Sequence, residues 1–230
     1  ADAAARWKAE RARQDAARAA GEARDRRSKI EVARGIWRAG KAPEATLVET
    51  YLRARHVTCP VPASLRFVER CRHVPSKQDL PAMIGAMQGV DRRITGVHRT
   101  YLAADGSGKA DVEPNKMMLG VAQGSAVRFC PPAEHLYVTE GIETALSVVS
   151  IRGHAAVWAA LSLDNMEKIV LPDVVREVTL IADNDQKDWR AGRRAVRKAV
   201  NAHAANGRLV RTVWPPRGCD FNNLLARAGR

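Results

Sequence analysis

Three acidic side chains stand directly after two apolar stretches of the sequence. Glu140 comes directly after "LYVT". Asp183 comes directly after "TLIA", and Asp185 comes two residues later. Alternate residues of an extended chain point to the same side, so Asp183 and Asp185 should share one side if the backbone stays extended. Ligands of a parallel sheet bind beyond the carboxyl ends of its strands. If the two stretches are neighbouring strands, the three carboxylates therefore meet at one edge.

Such a cluster of carboxylates needs a compensating charge. Two like charges about 4 Å apart at an effective dielectric of about 20 repel by roughly 4 kcal/mol, so the acids must take up protons or hold a cation. A ligand set of oxygens alone favours Mg²⁺ or Mn²⁺, and a divalent cation placed this way serves phosphoryl transfer. The alternative is that these acids cap helices, since helices are predicted after Glu140 and from near Asp188. A Glu at one strand end with a D-x-D at another favours the metal site.

The segment that carries these acids alternates strands and helices. From Glu134 to Trp214 the apolar patterns indicate strand, helix, strand, short helix, strand, helix and strand. This alternation predicts a parallel sheet with crossover helices. We therefore expect an α/β domain over residues 134–230.

The residues before this domain have a different pattern. Residues 43–133 contain a short helix and then short strands between Gly, Pro and Asp turns, which predicts a small mixed α+β subdomain with an antiparallel sheet. Residues 1–42 are rich in Ala, Arg, Glu and Lys and predict a helical lead-in. The first forty residues hold eleven basic and six acidic groups, so this helix is either a solvated connection or a basic contact with nucleic acid.

The overall charge favours a polyanionic partner. The chain of 230 residues has a formal net charge of +13 and a pI near 10.3, and such a field concentrates nucleic acid. No apolar run is long enough to cross a bilayer, and the start is too charged for a secretory signal. The four scattered cysteines indicate reduced thiols. We therefore expect a cytoplasmic protein that does not act at a membrane.

The motif "YVTEGIETALS", followed about forty residues later by "TLIADNDQ", resembles the Toprim domain shared by bacterial primases, topoisomerases and some nucleases. The resemblance implies a Rossmann-like parallel sheet with flanking helices, in which the catalytic, metal-binding residues are Glu140, Asp183 and Asp185. "GCDFNNLL" is similar to a D-F-N-D element near the end of the domain and adds Asp220 as a metal ligand. Two positions depart from the family pattern, because Asn223 replaces the second acid of that element and Trp189 crowds the turn after D-x-D.

The resemblance extends to the preceding segment. "RITGVHRTYLAADGSGKA" and "NKMMLG" are similar to the region before the Toprim domain in primase-like proteins of plasmids, phages and integrated elements. This similarity implies basic residues that face the acids across a cleft and bind nucleotide or nucleic acid. Their counterparts here are Arg99 and Lys116, with Lys109 as a further candidate. The alternative is that these charges only solubilise exposed strands. Together the two resemblances cover about residues 43–228.

The predicted helix after D-x-D carries a second basic cluster, which includes Arg193, Arg194 and Arg197. Residues 186–217 contain nine basic groups and one acid. This face either contacts the phosphates of nucleic acid or is an ordinary solvated face. The five tryptophans, Trp189 and Trp214 among them, are interpreted as packing residues rather than as base-stacking platforms.

These features predict a DNA primase, a nucleotidyltransferase (DNA-directed RNA polymerase) that synthesises short RNA primers on single-stranded DNA. Its substrates would be nucleoside triphosphates, its cofactor Mg²⁺ or Mn²⁺, and its source a mobile genetic element such as a plasmid. A helicase or relaxase domain outside this chain would be a further partner. Two alternatives stay open: a metal-dependent Toprim nuclease whose acids activate water, and a non-catalytic nucleic-acid-binding or priming-accessory module.

Overall fold

The computed structural model describes residues 2–184, 189–219, 221, 222 and 225. In this part of the chain nine strands form one sheet, in the order β4-β3-β2-β5-β7-β6-β8-β9, and β1 pairs with β2 as well. The strands are, in chain order, β1 Leu65–His73, β2 Gln78–Gln88, β3 Ile94–Tyr101, β4 Lys116–Gly120, β5 Ala126–Arg128, β6 His135–Thr139, β7 Val157–Ala159, β8 Glu177–Ile181 and β9 Leu209–Val213.

The helices of the described chain are α1 Asp2–Ala39, α2 Leu47–Ala54, α3 Ile142–Arg152, α4 Leu163–Lys168 and α5 Trp189–Ala205. Two short helices begin at hydroxyl caps: the Thr46 side chain accepts a hydrogen bond from the Val48 N–H at α2, and that of Ser162 accepts one from the Asn165 N–H at α4. Such caps satisfy N–H groups that have no partner within the helix. Across the described ranges, no helix combines the length and the apolar character needed to cross a membrane.

The first half of the sheet is antiparallel, as the strand pattern predicted. Strands β1 to β4 pair with their chain neighbours in sequence order. The end of α1 packs on one face of this half, where Ala33 is buried with Ile84 and Val97. The earlier part of α1 is exposed, with Trp7 64% accessible, so it buries little apolar surface.

The second half of the sheet is parallel, and each strand and helix predicted for it is present. Strand β6 lies between β7 and β8, and β9 follows β8 at the edge. Leu146 of α3 packs on the face that carries Val157, whereas Val196 of α5 packs on the face that carries Trp158. The chain therefore leaves β6 in one direction and returns to its other side, which places a switch point between the carboxyl ends of β6 and β8.

Strand β5 joins the two halves and was not predicted from the sequence. Its three residues pair with β2 on one side and with β7 on the other. A shared core crosses the same boundary, where Tyr51 and Met83 pack in one cluster with Ile142 and Leu146. A Cβ atom at Gly85 would lie 2.9 Å from Ile142 Cδ1, so glycine at this position lets α3 approach β2. The two predicted sheets are thus parts of one continuous sheet.

Candidate active site

Two of the acidic residues lie at the switch point of the parallel half. Strands β6 and β8 are neighbours, with Thr139 opposite Ile181, and the Glu140 N–H donates to the Ile181 carbonyl at 3.2 Å. Asp183 comes two residues after Ile181 in the chain. Its Oδ1 accepts a hydrogen bond of 2.9 Å from the Thr144 hydroxyl of α3. The structure therefore brings Glu140 and Asp183 to one edge of the sheet.

A third acid, Glu143, lies beside them and was not identified from the sequence. It sits in the first turn of α3, where its side chain is 6% exposed. Its Oε1 accepts a hydrogen bond of 2.8 Å from the Tyr51 hydroxyl. The signal was the second Glu of "EGIET", because a carboxylate three residues after Glu140 and within an apolar helix start must find partners when it is buried.

Two lysines from the antiparallel half are those partners. Lys116 Nζ lies 3.4 Å from Glu143 Oε2, and Lys109 Nζ lies 3.8 Å from Glu143 Oε1. Lys116 also interacts electrostatically with Asp183. Lys116 and the further candidate Lys109 therefore meet the edge that carries Asp183, and Glu143 is the residue that holds the lysines there.

The protonation states of this cluster follow from burial and from charge. Burial alone would raise the pKa of Glu143, but Lys116 and Lys109 hold it well below its usual range. Burial opposes the charge of Lys116, yet Glu143 raises the pKa of that lysine above its ordinary value. Burial lowers the pKa of Lys109, with Glu143 opposing the shift. Two ammonium groups and one carboxylate leave an excess of one positive charge beside the acidic edge.

His98 lies in the same region, close enough to interact with Glu143 and the two lysines. It pairs with Gly85 in the sheet and is buried, with 7% of its surface exposed. Burial first, and then the neighbouring lysines, lower the pKa of His98 to about 4 despite the opposing charge of Glu143. Among the residues that the structure describes, its Nδ1 has no hydrogen-bond partner. At neutral pH His98 is therefore an uncharged part of the wall behind the lysines.

Arg99 does not join the lysines. It pairs with Ile84, which packs beneath α1 on the opposite face of the sheet, and only 6% of its surface is exposed. Its guanidinium carbon lies 6.0 Å from the centre of the Tyr101 ring. Neighbouring residues of a strand point to opposite faces, so Arg99 lies on the α1 side and the structure does not bring it together with Lys116.

Comparison with known families identifies the two halves of the chain separately. Residues 27–129 match a family described as a domain of unknown function (DUF7146). Residues 135–230 match the family described as the Toprim domain. The chain contains a Toprim domain. The resemblance drawn from "YVTEGIETALS" and "TLIADNDQ" is thereby confirmed, and no curated protein matches the sequence.

Solved structures show that this Toprim protein has a primase-like fold. The structure of the DnaG catalytic core is 16% identical with a TM-score of 0.58, over 88% of this chain and 75% of that one. The primase fragment of the bacteriophage T7 primase-helicase protein is 16% identical with a TM-score of 0.51, over 72% of this chain and 64% of that one. At this identity the likeness concerns the fold, and it covers both halves of the chain.

The edge of the sheet that carries Glu140 and Asp183 is suited to a hard divalent cation. Glu140 and Asp183 offer carboxylate oxygens, the donor type that Mg²⁺ and Mn²⁺ prefer. A Cβ atom at Gly141 would lie 3.9 Å from Asp183 Oδ2, so the glycine keeps the space beside that oxygen open. Asp185 and Asp220 lie outside the described residues. Within the described residues no group of three or more His, Cys, Asp or Glu side chains could hold a metal ion, so a full ligand set remains a proposal.

The predicted basic helix, α5, lies next to β9 at the end of the sheet. Arg193, Arg194 and Arg197 line a groove of about 360 Å³ between the two elements. The guanidinium carbon of Arg193 lies 5.7 Å from the Trp189 ring centre and 5.6 Å from that of Trp214. The three arginines are therefore brought together, but on the far side of β8 from Glu140 and the lysines.

Proposed function

We propose that this Toprim protein is a DNA primase, a nucleotidyltransferase that makes short RNA primers on single-stranded DNA. One observation carries the proposal: Lys109 and Lys116, from the antiparallel half, reach Glu143 beside Asp183 of the Toprim domain. Carboxylates that bind a cation and lysines that contact phosphates are both needed at a triphosphate.

The acidic edge supplies the first part of this chemistry. Glu140 and Asp183 would hold a divalent cation together with Asp185, and Asp220 is a further proposed ligand. When bound, Mg²⁺ or Mn²⁺ neutralises phosphate charge and lowers the pKa of an attacking hydroxyl. Thr144 donates to Asp183 Oδ1 and so fixes the carboxylate rotamer, which leaves Oδ2 toward the space beside Gly141.

The lysines supply the second part. Lys116 Nζ and Lys109 Nζ carry six N–H donors between them, and Lys116 donates one of these to Glu143 Oε2. The remaining donors suit the oxygens of an incoming nucleoside triphosphate. Since the carboxylate of Glu143 is fixed by the Tyr51 hydroxyl, the ammonium groups are held in place before the triphosphate arrives, which lowers the cost of ordering them.

The template and the wider setting are also part of the proposal. A net charge of +13 and the arginines of α5 favour single-stranded DNA as the template. The fold likeness to the primase fragment of a primase-helicase protein supports a helicase as a partner outside this chain, and the resemblance to primase-like proteins of plasmids supports a mobile element as the source.

Incubation of the protein with single-stranded DNA, labelled ribonucleotides and Mn²⁺ tests the proposal. We expect labelled oligonucleotides from the wild type and none from Asp183→Asn. As a matched control, Asp79→Asn removes an exposed acid that pairs with Arg70 and Arg72, and it should leave synthesis unchanged.

The alternatives give different products in the same reaction. Shortening of the DNA that disappears in Asp183→Asn would identify a Toprim nuclease. Retarded DNA with neither synthesis nor cleavage would identify a non-catalytic binding module. Full synthesis by Asp183→Asn would overturn the metal assignment.

A further inference from the structure

A groove between α5 and the edge strand β9 combines arginines with an aromatic ring. Its lining includes Arg193, Arg194, Arg197, Thr212 and Trp214, and it holds about 360 Å³. No acidic residue is among the described residues that line it. Positive charge beside an aromatic face is the composition that non-sequence-specific binders of single strands use.

The regular geometry of the two elements builds this groove. Arg193 and Arg197 are four residues apart and so lie on one side of α5. Thr212 and Trp214 are two residues apart and so project from one face of β9 and its continuation. In the described sheet β9 pairs only with β8, and its outer edge is therefore not covered by another strand. The groove therefore has basic residues on one wall and an aromatic ring on the other.

The aromatic rings already bind a planar cation. The Arg193 guanidinium carbon lies 5.6 Å from the Trp214 ring centre and 5.7 Å from that of Trp189. Trp189 is 41% exposed, and Trp214 is half-buried against the core beneath α5. A guanidinium and a nucleobase compete for the same kind of face. A base that stacks on Trp214 would displace Arg193, whose charge is then available to an adjacent phosphate.

The charge of the lining separates this groove from a similar surface on α1. There Arg11 lies 5.3 Å from the Trp7 ring centre, so an arginine and a tryptophan also stack. That surface includes Glu10 and Asp15, and these acids offset its arginines. Both surfaces therefore have an exposed Arg–Trp pair. The α5–β9 groove differs from the α1 surface in its excess of three positive charges.

The groove begins at the same edge of the sheet as the acids. The Ala182 N–H lies 3.4 Å from the Val213 carbonyl, directly before Trp214, and the Asn184 side chain donates to the Pro215 carbonyl. Asp183 turns toward α3, whereas Trp214 packs on the α5 side. A strand that passes over the carboxyl ends of β8 and β9 would thus lead from the acidic edge into the groove.

We propose that the α5–β9 groove binds single-stranded nucleic acid, with its arginines on the phosphates and a base stacked on Trp214. The binding itself does not require nucleotidyl transfer. Only the identity of the strand, a DNA template that runs past the acidic edge, rests on the proposed function. Sequence preference is expected to be weak, because every base offers an aromatic face and phosphates carry no base information.

Binding of two oligonucleotides by fluorescence anisotropy tests this inference. One is oligothymidylate, and the other has the same length and abasic sugars in place of the nucleosides. We expect the wild type to bind oligothymidylate about tenfold more tightly, since a stacked base contributes roughly that factor. Trp214→Leu should lose this preference, and Trp214→Phe should keep most of it. Trp7→Leu, on the acidic-flanked surface of α1, should bind as the wild type does.

A second readout separates lost stacking from lost folding. Trp214 packs against the core, so the near-ultraviolet and far-ultraviolet circular dichroism of each variant is compared with that of the wild type. Tryptophan fluorescence should be quenched by oligothymidylate in the wild type and much less in Trp214→Phe, a variant that still binds. Asp79→Asn, which leaves the groove and the acidic edge intact, should bind both oligonucleotides as the wild type does, whether or not the wild type makes primers. Equal wild-type affinity for both oligonucleotides, or an unchanged preference in a folded Trp214→Leu, would overturn the inference.

Discussion

At the scale of single residues, Glu143 connects the two halves of the protein. Its carboxylate accepts from Tyr51 of α2 and contacts Lys109 and Lys116. Its side chain is largely buried, with 6% of its surface exposed. A buried carboxylate of this kind stabilises the fold only while its partners are present.

Glu143→Gln should destabilise the protein because two ammonium groups then lose their counter-charge. Removing one member of a fully buried ion pair costs about 3–5 kcal/mol. The side chains of Lys109 and Lys116 are 26% and 38% exposed, so we expect a smaller loss, about 2 kcal/mol, after allowance for solvent screening. Urea unfolding monitored by circular dichroism measures it. Glu177→Gln breaks the exposed pair with Arg211 and should change the free energy of unfolding by less than about 1 kcal/mol; equal losses in both variants would contradict the assigned role of Glu143.

His98 should make the fold sensitive to mild acid. Burial lowers its pKa to about 4 in the folded protein, whereas the unfolded value is about 6.5. Between these values the unfolded state binds the proton and the folded state does not, so stability is present above pH 6.5 and is lost as the pH falls toward 4. The full shift corresponds to roughly 3 kcal/mol. Between pH 7.0 and 4.5 the free energy of unfolding should fall further in the wild type than in His98→Gln; parallel curves would show that His98 does not titrate in this window.

The residue scale also shows what the sequence could and could not reveal about the site. Glu140 and Asp183 were predictable because each ends an apolar run, and that pattern is local. The pairing of Glu143 with Lys116 joins positions 27 residues apart and depends on how α3 docks on the antiparallel half. Strand alternation requires the side chains of His98 and Arg99 to point to opposite faces of the sheet. Which of these two residues lies on the side of the Toprim domain depends on the face that α1 covers.

At the scale of elements, strong local periodicity made the parallel half predictable. Strands β6 to β9 and helices α3 to α5 were each expected from their patterns, and the switch point follows from their order. Strand β5 was missed because its three residues, unlike those of β7, are not part of a longer apolar run. Its role comes from its two partners, β2 and β7, which no local pattern could identify.

Helix α5 should determine much of the salt dependence of single-strand binding. Each phosphate contact contributes about 0.7 to the log–log slope on single strands, so replacing Arg193, Arg194 and Arg197 by Gln should reduce the slope by roughly 2. The helix should survive, because Val196 and Ala199 still pack in the core. Anisotropy titrations at several salt concentrations measure the slope.

The matched control for α5 replaces Arg11, Arg13 and Arg18, which are exposed on α1, by Gln. It removes the same charge from another helix and should leave the slope unchanged. If the α1 variant lowers the slope and the α5 variant does not, the basic contact lies on the N-terminal helix.

At the scale of the whole molecule, the sheet and the main core cross the boundary predicted near residue 133. Strand β5 pairs with β7, and Tyr51, Leu52 and Met83 pack with Ile142, Leu146 and Val157 in one cluster. The two matched families meet at almost the same place. The boundary therefore separates two patterns of sequence, while the described structure joins them through backbone pairing and shared apolar contacts.

Residues 134–230 should consequently not fold alone as they do in the full chain. Ile142, Leu146 and Val157 would lose their apolar partners, at about 1.5–3 kcal/mol for each large side chain fully exposed. Three such losses are comparable with the 5–15 kcal/mol that stabilises a typical protein. The edge of β7 would also lose the pairing with β5 and become open to association.

By contrast, residues 29–230 lack only the part of α1 whose side chains, from residue 6 onward, are exposed. Their free energy of unfolding should stay within about 0.5 kcal/mol of that of the full chain. Urea unfolding followed in the far and near ultraviolet compares the three proteins. A cooperative transition with a native near-ultraviolet signal in residues 134–230 would show that the Toprim domain folds without the antiparallel half.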